Sequence, residues 1–490
     1  MKLNKSYIIL TFIFFQIFIS ESVRAQDSQT LYYMNSVPQS TIMNPALQPS
    51  YNVFVGLPVI SSLQFGAGNN RLGLTDIIMK HPTNDSLITF LHPDAEFNTS
   101  DFLSKLDDNN FFYEDFRTDL LSFGFRVNTW YFSFNLSEKF TTSINYPKDL
   151  LVIALEGNKS FINQSADLSN LGVNSTFYRE YGLGISKKIS DKLSVGIRAK
   201  ILFGHANISS DFNDNTLELY SSRDSIYINA DAVIKTSSPL IATTNADGDF
   251  NGFEIPGFIE NSNVDSLIDY GLSHTNMGLG IDFGINYKPI DKLSVSLSVI
   301  DLGYIKWDAK DVTSIELKGN YSFKGVDVSN EIGNSSSADS PFDEMLDSLE
   351  NSFTLKNTSN SYTTSLGAKI YIGANYALSK KFDLGFLSRS YFYNSNLNQA
   401  FTFSANVHMR GLSTSISYSM MNGSYNNIGF GLVLGGAPLQ IYIISDNASA
   451  ALWGHKTTSA NFRFGLNIAL GSSLKTKNKA KDIPLLKSVF

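Results

Sequence analysis

The sequence predicts an all-β protein, a transmembrane antiparallel β-barrel of about fourteen strands with an N-terminal luminal plug and short loop helices. Three observations point there. Stretches of 9–11 residues alternate with one parity wholly apolar, as where Leu293, Val295, Leu297 and Val299 interleave with Ser294, Ser296 and Ser298. Tight, turn-rich links alternate with long ones. The first 25 residues also have the three parts of a secretory signal. A tilted strand of this length crosses a bilayer, whereas soluble strands average about 5–6 residues. Lipid outside and a wet, polar interior account for both faces at once.

Composition narrows the class further. Of 490 residues, 43% are apolar and 17% charged, with 37 Phe and 23 Tyr, too many aromatics for a disordered chain. With no Cys there is no disulfide framework, thiolate metal site or lipoprotein anchor. A pI near 5.5 supplies no net basic footprint, so nucleic acid is not an expected partner.

Taken in order, Lys2 and Lys5 form the positive start of the signal, Tyr7 to Ile19 its apolar centre, and Val23-Arg24-Ala25 the cleavage site. A predominantly apolar run of thirteen residues is too short to span the hydrocarbon core as a helix. Removal of residues 1–25 changes the net charge from −7 to −9, because three cations and one anion leave. Export to the outer membrane is the expectation. Residues 26–50 are the plug segment, 51–471 the barrel and 472–490 a basic periplasmic tail.

Six short links define six hairpins: Val127-Asn128, Ser190-Asp191-Lys192, Pro289 to Lys292, Leu378-Ser379-Lys380, Met409-Arg410-Gly411 and Gly435 to Pro438. One strand precedes them (52–66) and one follows (459–471), which makes fourteen. An even number with both ends at the short turns is the bacterial pattern. The long links cover 67–117, 140–172, 205–274 and 307–361, with three brief ones near 395, 423 and 450. Helices are expected at 341–352, where Phe342, Met345, Leu346 and Leu349 share a face, and at 147–155. Gly182 to Gly204 and Gly278 to Gly303 look like a repeated hairpin, each with Asp-Lys-Leu-Ser-Val after its turn.

The polar parity carries Arg126, Glu180, Arg198, Lys200, Asp282, Lys369, Asp383, Arg389 and Arg463, six cations and three anions expected to line the lumen. They pair across the wall and bind the plug, or they form a basic lining for an anionic solute. Trp130, Tyr287, Trp307, Tyr376, Tyr391 and Trp453 lie near strand ends, where interfacial aromatic girdles belong. No catalytic motif emerges: the six histidines are scattered and no Gly-x-Ser-x-Gly elbow occurs. No enzyme activity and no cofactor are expected. Asp247, Asp249 and Asn251 resemble the opening of a calcium loop, but Phe258 stands at position 12, so a turn is preferred to a metal site.

Asn35-Ser-Val-Pro-Gln39, Asn44-Pro-Ala-Leu-Gln-Pro49 and Tyr51-Asn-Val-Phe-Val-Gly-Leu-Pro58 resemble the start of a Bacteroidota outer-membrane family catalogued as a domain of unknown function. The resemblance runs on to Gln440 to Asn447 and Asn461 to Asn467. More distantly, Asn44-Pro45-Ala46 before the first strand and Asp301-Leu302-Gly303 at a hairpin end look like the FadL fatty-acid transporters and their PorV relatives. That likeness implies a luminal hatch containing Asn44, Pro45 and Ala46. It also implies passage or binding of a hydrophobic or amphiphilic small molecule, or a scaffold role with an envelope protein partner, in contact with outer-membrane lipid.

Overall fold

The computed structural model describes residues 29–472 except 91, 93–97, 211–215, 224, 238–240, 245–249, 255–269, 271–272, 324–352, 357–359, 394–395, 422–423 and 451–456. The first wall strand, β1, comes in two parts, Tyr51–Gly56 and Leu63–Asn69. Then follow β2 (Asn109–Val127), β3 (Trp130–Pro147), β4 (Gly172–Lys188), β5 (Leu193–Ser210), β6 (Met277–Ile290) and β7 (Leu293–Trp307). The next, β8, is Tyr362–Ser365 with Ala368–Ala377, and β9 is Phe382–Tyr393. The wall ends with β10 (Asn396–Met409), β11 (Leu412–Met421), β12 (Ser424–Gly435), β13 (Leu439–Ser445) and β14 (Ser459–Ser472). Each pairs antiparallel with the next, and β14 pairs with both parts of β1, so a cylinder of fourteen strands closes.

Its faces follow the alternation. Val53, Phe123, Leu183, Ile285, Leu297, Ile372 and Ile443 are exposed on the outside, while Ser122, Asn135, Asn406, Ser415 and Asn467 are buried within. Such a greasy exterior is what lipid tails accept and water does not. Trp130, Tyr287 and Tyr376 stand outward at the short-turn end.

Several boundaries differ from expectation. Strands β2 to β5 are 17–19 residues long, so the links placed at 67–117 and 140–172 are shorter than expected. The backbone ladder simply continues past the apolar band, where Thr142 still faces Ser175. The link at 205–274 contains Ile226–Ser237, and the link at 307–361 contains Val312–Phe323. These pair over twelve positions as an outer ribbon whose foot joins Asn207 to Ser210 of β5. A helix, α1 (Thr99–Lys105), is capped by Asn98, whose side chain accepts the Asp101 N–H at 3.0 Å. A second, α2 (Lys148–Glu156), lies at the expected 147–155. The helix expected at 341–352 falls outside the described residues.

Two irregularities interrupt the wall. Residues 57–62 stand opposite only Gly465 and Leu466, so β1 steps aside rather than running straight from 52 to 66. Val59, in the left-handed region at φ 68°, donates to the Asp119 carbonyl at 2.9 Å, while Leu57 N–H donates to the Leu466 carbonyl at 3.1 Å and Leu466 N–H to the Ile60 carbonyl at 3.0 Å, which keeps the seam shut. The second is a bulge in β7 at Asp301, φ 60°. Asp301 therefore does not end a hairpin; it sits mid-strand and turns inward together with Ile300. The extra residue flips the parity above it. Trp307, expected in a girdle, is consequently buried inside against Tyr178 and Leu202. Tyr391 is also internal, sharing the parity of Asp383 and Arg389, and Trp453 lies outside the described residues.

Candidate functional site: the plugged lumen and its outer chamber

Residues 29–47 run inside the cylinder as two single-turn 3₁₀ segments, Gln29–Tyr33 and Pro38–Ile42, almost wholly buried. Leu31, Tyr32, Tyr33, Met34, Val37 and Met43 pack on wall residues such as Tyr371, Leu387 and Tyr442 to form the largest apolar cluster among the described residues. Polar groups meet polar walls. Asp446 accepts the N–H groups of Gln29 and Thr30 at 2.7 and 2.8 Å and the Thr30 hydroxyl at 2.6 Å. Gln39 and Asn467 exchange amide bonds at 2.8 and 3.0 Å, and Ser298 donates to the Met43 carbonyl at 2.7 Å.

The Asn44-Pro45-Ala46 corner closes on itself, the Asn44 side chain accepting the Ala46 N–H at 2.9 Å and donating to Tyr32 at 2.9 Å. It lies so near Gly196 and Gly284 that a Cβ on either glycine would overlap it. Met34 lies equally close to Gly431. At the short-turn rim, Arg126 donates to the Gln48 side chain and, at 2.6 Å, to the Pro49 carbonyl.

Above the plug lies a chamber of about 1170 Å³, including space continuous with solvent. Its floor is apolar, made by Ile42 and Met43 of the plug with Ile300 and Tyr371. Its wall is charged, presenting Arg117, Lys139, Asp301, Lys369 and Arg463. Behind these runs a buried ion network across seven strands. Glu180 meets Lys139 at 2.6 Å and Arg198 at 2.5 Å; Lys200 meets Asp282 at 2.6 Å and Asp301 at 2.5 Å. Lys369 reaches Asp301 at 3.2 Å, and Arg117 holds Asp119 at 3.0 Å. Five cations thus face four anions, a nearly balanced set in which a lone buried charge is avoided.

Of the nine expected lining residues, Glu180, Arg198, Lys200, Asp282 and Lys369 belong to this network. Arg126 holds the plug. Asp383 accepts from Asn406 and His408, both at 2.7 Å, nearer the short turns. Arg389 donates to Asn398 at 3.0 Å, and Arg463 donates to Gln64. Arg117, Asp119, Lys139 and Asp301 were missed by the pattern. Arg117 and Lys139 abut the ends assigned to β2 and β3, and bulges displace the parity around Asp119 and Asp301. Extending the Asn135, Ser137 parity by one pair would have reached Lys139. Asp247 and Asp249, and the side chain of Asn251, lie outside the described residues, and among the described ones no group of three or more metal-ligating His, Asp or Glu side chains occurs.

A family model described as a family of unknown function (DUF5723) matches residues 45–446. No curated protein matches the chain. Among solved structures, the toluene transporter TbuX of Ralstonia pickettii is similar at 9% identity and TM-score 0.38, over 88% of this chain and 93% of that one. A FadL homologue of Pseudomonas aeruginosa is similar at 10% identity and TM-score 0.30, over 88% of this chain and 93% of that one. The translocator domain of the autotransporter NalP from Neisseria meningitidis gives 10% and 0.34 over 90% and 96%.

Proposed function

We propose that this chain, which belongs to the DUF5723 family, is an outer-membrane barrel that takes a hydrophobic or amphiphilic small molecule from the outer side into the chamber above its plug. One observation carries this reading: an apolar floor and a charged wall meet in a single cavity, the pairing of surfaces that suits an amphiphile. An apolar body would rest on Met43, Ile300 and Tyr371, while a polar end faces Lys139 and Lys369. The work is binding and passage, with no covalent step. Onward movement requires residues 29–47 to leave their seat, so the segment acts as a hatch.

Mass spectrometry of small molecules that co-purify with the folded protein tests the reading. A recurrent amphiphile lost in a Tyr371→Ala variant supports it, and an empty chamber in wild type contradicts it. Conductance across a planar bilayer tests the hatch, because deleting residues 26–50 should convert a closed barrel into an open one. The close fit of the plug favours a second reading, a non-conducting docking subunit of an envelope assembly. A stoichiometric protein partner with no bound small molecule would select it.

A further inference from the structure

One arc of the short-turn rim is strongly basic, although the whole chain carries −7. The β4–β5 hairpin presents Lys188 and Lys192, β6–β7 presents Lys288 and Lys292, β8–β9 presents Lys380 and Lys381, and β10–β11 presents Arg410, all exposed. Only Asp191 and Asp291 oppose them in these turns, and among the described residues Asp191 alone pairs, with Lys188 at 3.0 Å. Backbone bonds tie each hairpin to the next: Lys288 N–H to the Lys192 carbonyl at 2.7 Å, Ala377 to Lys292 at 2.7 Å, and His408 to Lys381 at 2.8 Å. Neighbouring hairpins therefore stand two strand spacings apart, roughly 10 Å. The remaining hairpins, Asn128-Thr129 and Gly435 to Pro438, carry no charge.

The surroundings of these cations select the ligand. Apolar tips alternate with them: Ile189 is 53% exposed, Ile290 56%, Leu378 48% and Met409 44%. Just above stand Tyr287 and Tyr376, and Lys187 Nζ sits 4.5 Å from the centre of the Trp130 ring. Exposed aliphatic tips, interfacial aromatics and a row of ammonium groups fit the boundary between acyl chains and headgroups better than a water-facing protein surface.

We infer that this arc gathers anionic phospholipid headgroups of the inner, periplasmic leaflet along β4 to β11. The inference rests on the membrane placement proposed above. Native mass spectrometry of the full folded protein, titrated with phosphatidylglycerol or phosphatidylcholine, tests it. Wild type should retain phosphatidylglycerol at least about fivefold better. The combined variant Lys188→Gln, Lys192→Gln, Lys288→Gln and Lys292→Gln should lose that preference. A matched variant at the other end, Lys80→Gln, Lys105→Gln, Lys310→Gln and Lys318→Gln, should keep it. Photoactivatable phosphatidylglycerol should label peptides containing 187–193 and 287–293. Equal retention of both lipids, a preference indifferent to the first variant, or an acidic periplasmic protein held in place of lipid would each overturn the inference. Insertion into phosphatidylcholine vesicles is scored separately: a barrel that inserts without headgroup preference refutes only the lipid arc, whereas one that fails to insert refutes the membrane placement too.

Discussion

The two halves of the lumen are built from one strand parity and solve opposite problems. In the half nearer the short turns, inward positions are small or amide-bearing, as at Gly196, Gly284, Gly431, Asn467 and Ser298, because a segment of the same chain fills the space. In the outer half the same parity turns to Arg198, Lys200, Asp282 and Lys369, and the space stays open. Close packing holds the first half, where dispersion contacts and satisfied amides suffice. Charge balance holds the second, where no plug supplies partners and each ion must find one in the wall. A barrel interior can thus be divided by residue size and charge without any break in the alternation that makes it a barrel.

Four substitutions sharpen that contrast, in order of expected effect. Glu180→Gln strips Arg198 and Lys139 of a fully buried partner. The loss should be about 3–5 kcal/mol, read as a lowered urea midpoint of the folded barrel. An unchanged midpoint would mean that water enters and screens the network. Gly431→Val drives a branched side chain into Met34, and overpacking of about 1–3 kcal/mol should unseat the plug before the wall unfolds. Hydrogen exchange that rises at 29–47 while wall strands stay protected is the expected pattern. Asp446→Ala leaves two buried backbone N–H groups and the Thr30 hydroxyl without their acceptor. About 1–3 kcal/mol of local stability should go, detected as protease cleavage near residue 30. Arg126→Ala removes two bonds at the partly exposed rim, and about 0.5–1.5 kcal/mol is expected, confined to faster exchange near Gln48.

Much of the wall was legible because alternation is local: Leu293 to Val299 states its own faces, and the six tight links state where the chain reverses. The lumen was legible only in part. Arg198 and Lys200 stand in the middle of an unbroken run, so their direction could be counted. Asp301 could not be placed, since one extra residue in β7 reverses every direction beyond it and depends on Asp282 accepting its N–H at 2.7 Å, nineteen positions away. Trp307 was assigned to the wrong side for the same reason. The step in β1 was hidden too, because the detour at 57–62 is sealed by Leu466 and Asp119, which lie far away in the sequence. The fit of Gly284 to Asn44 joins positions 240 apart in the sequence and has no local signature.

The seat of the N-terminal segment is open to direct measurement, since the chain has no native cysteine to interfere. Thr30 Oγ lies 2.7 Å from Ser417 Oγ inside the lumen. With Thr30→Cys and Ser417→Cys introduced together, oxidation of protein assembled in its own membrane should form an intramolecular cross-link in nearly every molecule. A Thr30→Cys, Ser175→Cys pair should not cross-link. If the first pair stays reduced while the barrel is folded, the segment lies elsewhere and the division of the lumen into plug and chamber is wrong.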